Sequence, residues 1–331
     1  MRARSWIAAA LVAAGLSGAA PPAALAQTAP GYPNRPIRVV VPFAAGGPTD
    51  LVARTIGPKM SATLNNQPVV VENRPGAGGA TGVDVVAKAA PDGYTIGFGS
   101  AGALAISPGL PGRVMPYDPL RDLAPITLGV LVPEPVVVPA GQPFRTMQEF
   151  IAAARAQPGR LNYGHTGPGS MPHLAGELIK LAAGIDLVGV AYRGGAPLTT
   201  ALLAGEVQAG LADLPVLLPH IRSGALRALA VGTRERLPWL PDVPTMAEVG
   251  LPGVDTNNWH GMIAPARVPE PILDAIHHAA ATALRDPEVT RSLYDQGAIP
   301  GGNSRAEFAA FLRSEIEKWG EVIRRAGLRA E

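Results

Sequence analysis

Three stretches of this chain run an apolar segment into glycines with hydroxyl or charged residues among them: FAAGGPTD (43–50), GHTGPGSMPH (164–173) and AYRGGAPLTT (191–200). Glycine reaches conformations and contacts that a Cβ forbids, so such loops can bring bare backbone against a ligand. In the first, Phe43 and Ala44 lead into Gly46 and Gly47, and Pro48 suits the opening turn of a helix. That leaves N–H groups around Gly46 to Thr49 at a positive helix end, a ready site for a carboxylate. Thr49 adds a hydroxyl. Asp50, at the third helical position, either accepts from loop N–H groups and braces the loop or binds an amino or hydroxyl group of a ligand. The alternative for the whole stretch is an ordinary strand-to-helix turn. No Gly-Lys-Ser/Thr follows, which excludes a nucleotide phosphate loop.

The second loop offers Thr166 and Ser170 as donors, with backbone N–H groups near Gly169 and Ser170. His165 either pairs, when protonated, with a second ligand carboxylate or lies at the loop surface. His173 is expected at the helix start. In the third loop Tyr192 and Gly194 flank Arg193, which either grips a carboxylate with two prongs or points to solvent. Ser100, Ala101 and Gly102 follow the strand GYTIGFGSA, at the end where ligands sit in parallel sheets; an ordinary turn is the alternative. Asp213, after QAGLAD, is expected to cap the next helix, with the cleft as its other use. RPGAGGATG (74–82) suggests a dinucleotide fingerprint but carries Thr81 where the third glycine belongs, so it reads as a packing loop.

Catalytic machinery is missing from these patterns. There is no Gly-x-Ser-x-Gly elbow and no cysteine, and the six histidines form no His-x-x-x-His or His-Glu pair. No catalytic residue, metal ligand or cofactor is therefore expected.

The elements that must position these loops follow from the rest of the chain. Its 331 residues are enough for two lobes. The start looks like an export leader: Arg2 and Arg4, an apolar run from Trp6 to Leu16, then Ala-Leu-Ala at 24–26, predicting cleavage after Ala26. The 28 basic and 26 acidic side chains become 26 and 26 once Arg2 and Arg4 leave. A neutral chain with no basic stripe and few aromatics excludes a nucleic-acid partner. From residue 27 onward strands and helices alternate. IRVVVPF (37–43), QPVVVEN (67–73) and GYTIGFGSA (93–101) are strands with helices between them. A second set starts near 140, where Thr146 and Glu149 form a capping box. Two extended, proline-punctuated segments, 130–140 and 257–269, lie between the sets, and two helices close the chain, the last entered through Ser304 and Glu307. The pattern predicts two α/β lobes joined by two crossing strands, lobe 1 from 27–133 and 257–331 and lobe 2 from 134–256. Such an architecture closes on a ligand about a hinge.

YPNRPIRVVVPFAAGGPTD, VENRPGAGGATG, AKAAPDGYT, YDPLRDLAPI, HLAGELIK, YRGGAP, PHIRSGALRALAV and LPDVPTMAEVGLPG occur in this order. Together they resemble the Bug family, the periplasmic solute-binding proteins of tripartite tricarboxylate transporters, over residues 32 to 270. The resemblance implies a two-lobed periplasmic binding protein, a type II-like Venus flytrap hinged on two crossing strands. It also implies a periplasmic, monomeric protein that binds a small carboxylate and hands it to the transporter's membrane subunits. An exported α/β enzyme acting on small acids and a receptor feeding a membrane sensor are the other readings. The family carries a small hydroxyl residue more often than histidine at position 165, so a role for His165 is not transferred.

Overall fold

The computed structural model describes residues 31–329; the expected leader and its cleavage point after Ala26 lie outside the described residues. The chain opens with strand β1 (Ile37–Val41), helix α1 (Pro48–Thr63), strand β2 (Val69–Asn73), helix α2 (Ala80–Ala87) and strand β3 (Thr95–Ser100). β1 pairs parallel with both β2 and β3, Val39 facing Val71 on one side and Ile96 on the other. A strand covered on both faces must be apolar throughout. Val39 and Val41 accordingly pack with Val52, Ile56 and Met60 of α1, while Val40 packs with Val83 and Val86 of α2.

A buried helical turn, Gly102–Ile106, leads to strand β4 (Leu123–Val132), which continues past Pro133 and Glu134 as strand β5 (Pro135–Pro139) of a second sheet. That sheet is built from helix α3 (Met147–Ala156), strand β6 (Asn162–His165), helix α4 (Met171–Ala183), strand β7 (Val188–Ala191), helix α5 (Gly195–Ala204), strand β8 (Ala209–Leu211), helix α6 (Leu214–Arg222) and strand β9 (Leu226–Val231). Its strand order is β7-β6-β8-β5-β9. The chain returns through strand β10 (Asn258–Pro265), which lies antiparallel between β3 and β4. Helices α7 (Glu270–Arg285) and α8 (Pro287–Asp295), strand β11 (Ile299–Pro300) and helix α9 (Arg305–Ala326) then complete the first sheet, ordered β11-β4-β10-β3-β1-β2. Two α/β lobes with two crossing segments result, as the alternation predicted.

Two details differ from expectation. Three helices close the chain, not two. α8 is short and only Val289 and Leu293 are buried on it, so its apolar period is weak; it is started by Asp286, whose side chain accepts from the Glu288 and Val289 amides. At α3, Thr146 caps the Glu149 amide, but Glu149 accepts from the Arg145 amide, one residue ahead of the cap. The capping box of Ser304 and Glu307 is complete.

The last helix is fastened to the returning strand by one buried acid. Glu315 Oε2 accepts from the indole nitrogens of both Trp259 and Trp319, each at 2.9 Å, and all three side chains are buried. Replacing Glu315 with Leu strands two buried donors, each costing about 1–3 kcal/mol. The Glu315→Leu protein should therefore unfold at a clearly lower urea concentration with an unchanged slope. An unshifted midpoint would show that the indoles find other partners.

Candidate functional site

The loop after β1 is held open by its own acid. Asp50 is buried, and its Oδ2 accepts from the Gly46 amide at 3.0 Å. Oδ1 accepts from Asn73 Nδ2 at 2.9 Å, and Arg54 Nε lies within 3.0 Å of both oxygens. Asn73 also donates to the Phe43 carbonyl at 3.0 Å. A carboxylate has about four acceptor positions, and these partners fill them. Burial pushes the Asp50 pKa up, but the bonds from Arg54, Gly46 and Asn73 outweigh it and hold the carboxyl below its ordinary value. Asp50 is thus the brace of the two roles considered for it.

With the loop braced, α1 starts bare. Its N-cap is Gly47, at an ordinary φ of −84°, and no side chain caps the helix. The first-turn amides of Thr49 and Asp50 point out of a 16-residue helix without a side-chain acceptor. The Gly46 amide, expected to be free, is taken by Asp50. Thr49, expected to offer its hydroxyl, is buried, and that hydroxyl bonds His260 Nδ1 at 2.9 Å. His260 stands on β10 opposite Ser100 and edge-on to Phe43, with ring centroids 6.1 Å apart. Burial pushes His260 down to about 3, so it is a neutral ring. Its Nε2 has no hydrogen-bond partner among the described residues.

Behind this loop, RPGAGGATG packs as expected. A Cβ on Gly82 would stand 2.6 Å from the Pro42 backbone, and one on Gly79 would stand 3.0 Å from Phe43. Ser100, Ala101 and Gly102 are buried, with Ser100 Oγ accepting the Ala103 amide at 3.3 Å. They do not form a simple turn but open the helical turn at 102–106. A Cβ on Gly102 would lie 3.2 Å from the Gly169 carbonyl, so the lobes touch here, loop to loop.

In lobe 2 the Gly169 amide donates to His173 Nδ1 at 3.2 Å, and the Ser170 amide and hydroxyl both donate to the Gly167 carbonyl. Ser170 also caps α4 by accepting the His173 amide. The donors expected at Gly169 and Ser170 are therefore spent inside the loop. His165 is not a surface residue. It is 4% exposed and stacks on His173 with centroids 4.5 Å apart. Its Nδ1 accepts the Gly167 amide at 3.3 Å, which places its own N–H on Nε2. Burial, then the neighbouring His173, push it down to about 4. Near neutrality His165 is accordingly a neutral ring with its N–H on Nε2. Thr166 is half-buried beside it.

Tyr192 follows β7, and its amide donates to the His165 carbonyl at 2.9 Å. Its hydroxyl lies beside Glu206, and burial with that acid raises its pKa. Arg193 is exposed and forms no ion pair among the described residues. Gly194, at a φ of +115°, starts α5 with no side-chain cap, as Gly47 does for α1. Asp213 departs from expectation: it sits at the N-cap of α6 but makes no capping bond with its side chain. Its Oδ1 accepts from Asn258 Nδ2 at 2.9 Å, placing it at the hinge.

Sequence reasoning missed Arg54, Asn73 and His260. His260 had a legible signal, a lone histidine inside the apolar run NNWHGMIAP. Arg54 and Asn73 had none, because their partner Asp50 is reached only through the fold.

Two lobes, two crossing segments and glycine loops facing one another at strand ends define a hinge-type solute-binding protein. The model of the tripartite tricarboxylate transporter family receptor, TctC, matches residues 52–328, and the chain belongs to that family. Protein BugT of Bordetella pertussis is 37% identical over 297 residues, 89% of this chain and 90% of BugT. A protein of R. palustris solved with adipate is 36% identical at a TM-score of 0.83, covering 90% of this chain and 99% of that one. MatC of Rhodopseudomonas palustris with bound malate is 35% identical at a TM-score of 0.79, covering 88% and 100%. The family is one of periplasmic solute-binding proteins.

Because the Asp50 pKa lies below its ordinary value, its bonds stabilise the fold above the unfolded pKa and are lost as the pH falls. The stability gap between wild type and Asp50→Asn should be constant above about pH 4 and shrink below it. Chemical denaturation across that range checks this. A gap that grows on acidification would reject the brace.

Proposed function

We propose that this chain is a periplasmic receptor that captures a small carboxylate between its lobes and delivers it to the membrane subunits of a tripartite tricarboxylate-type transporter. The observation that carries the reading is the bare, braced start of α1. One ligand carboxylate lies across the amides of Gly47, Thr49 and Asp50, where the N–H groups and the helix field both favour negative charge. Phe43, Ala44 and Pro48 wall it, and Ser100, Ala101 and Gly102 form the floor. The rest of the ligand meets His165, Thr166, Tyr192, Arg193 and Gly194, with Gly169 and Ser170 shaping that wall rather than donating. Arg193 is the free cation there for a second carboxylate.

The lobes, 27–133 with 257–331 against 134–256, turn about the crossing segments, and ligand favours closure through contacts that only the closed form makes. The leader-like start, with cleavage after Ala26, fits the family's compartment, and the chain acts as a monomer. The bound adipate and malate of the relatives support a dicarboxylate. The filled acceptor positions of Asp50 add to this, since a ligand amino group gains nothing from that acid.

Thermal shift followed by calorimetry over mono- and dicarboxylates and amino acids tests the reading. Binding of a dicarboxylate is expected, with the amino acid of equal length weaker. Folded protein that binds no carboxylate at all would overturn it. Gly47→Val should abolish binding with the fold intact, because a Cβ there meets only the Ala44 carbonyl, at 3.8 Å. Retained affinity would remove this loop from the site. Arg193→Ala should weaken dicarboxylates at least about tenfold more than monocarboxylates, as expected for one lost charge-assisted pair; equal effects would reject its contact.

A further inference from the structure

Glu134 sits between β4 and β5, at the point where the first crossing segment passes from one sheet to the other. It is fully buried, and neither of its carboxyl oxygens has a hydrogen-bond partner among the described groups with fixed protons. What stands within hydrogen-bonding reach is a second acid, Asp213. Asp213 already accepts from Asn258 Nδ2, on the first residue of the returning strand. The same corner is closed by Leu214 N donating to the Pro133 carbonyl at 2.9 Å and Thr256 Oγ1 donating to the Glu134 carbonyl at 3.3 Å.

Two ionised carboxylates are acceptors only, so they cannot hydrogen-bond without a proton between them. An ionised carboxylate with no partner in a dry interior takes up a proton instead. We propose that Glu134 is held as the neutral acid and donates its proton to Asp213, so that one shared proton ties the start of α6 to both crossing segments and restrains the hinge. Burial, then the Asp213 charge, raise Glu134 well above its ordinary value, and burial raises Asp213 to about 6. Asp213 is the charged group facing Glu134; Asn258 and Thr256, from the returning chain, are neutral. This device is separate from the carboxylate cradle and holds whichever ligand the cleft takes.

The sign follows from the raised values. Both acids stabilise the fold fully below their unfolded pKa, and that stability is lost as the pH rises through the folded values. Glu134→Gln keeps a donor to Asp213 but has no proton to lose. As the pH is raised from about 5, the melting temperature of wild type should fall relative to that of Glu134→Gln. Parallel profiles would overturn the proposal. Should the variant fail to fold, carboxyl carbon NMR of the wild-type protein decides: Glu134 protonated at neutral pH supports the shared proton, and Glu134 ionised there refutes it. Small-angle scattering of the apo protein tests the hinge itself. The wild type should open on going to high pH, while the Gln variant keeps one profile. A wild-type profile that does not change would reject the restraint.

Discussion

A strand that passes between two lobes is covered by protein on every side, and its polar groups must find partners without water. All eight residues of β10 are buried, and the first four meet three different parts of the molecule. Asn258 reaches Asp213 at the hinge. Trp259 gives its indole N–H to Glu315 of the closing helix. His260 bonds Thr49 at the start of α1. Gly261 leaves room for Phe308, which would stand 1.9 Å from a Cβ there. Hinge, closing helix and the start of α1 are therefore referred to one rigid strand, and a shift of β10 would disturb all three.

The loop before α1 rests on a choice at the helix starts. α3, α4, α8 and α9 are capped by the side chains of Thr146, Ser170, Asp286 and Ser304. α1 and α5 start at Gly47 and Gly194 and have no such cap. A cap is worth about 1 kcal/mol to a helix. Giving it up leaves amides that an external anion can satisfy. The loss is tolerable at α1 because Asp50 holds the loop from inside and Arg54 neutralises that acid, so the brace does not repel what the amides attract.

Much of this was legible in the sequence. The apolar runs of β1, β5 and β10 and the glycine–proline entry to α1 are local signals, and local physics places them. The resemblance of ordered motifs supplied the family, which the family model and the relatives then bore out. What was not legible depends on contacts between distant residues. Whether a loop amide is free depends on which side chain reaches it: Asp50 takes Gly46, His165 takes Gly167 and His173 takes Gly169. A surface position was one of the two readings of His165, yet it ends a strand of the sheet and is covered there. Asp213 read as a cap because it precedes a helix, whereas its partner lies 45 residues away.

The two lobes consequently differ in how their loop amides are used. In lobe 1 the first-turn amides of α1 have no side-chain acceptor, because Asp50 is turned to the Gly46 amide. In lobe 2 the loop after β6 spends the amides of Gly167, Gly169 and Ser170 internally, while α5 starts uncapped at Gly194, as α1 does at Gly47. A neutral donor held by burial does not change its charge across the range in which free histidine titrates. His165 therefore keeps a neutral ring across that range, and Arg193 is the exposed cation of the loop after β7. The bare start of α1 is fixed from within lobe 1, by Asp50 and by the bond between Thr49 and His260 on the strand beneath it.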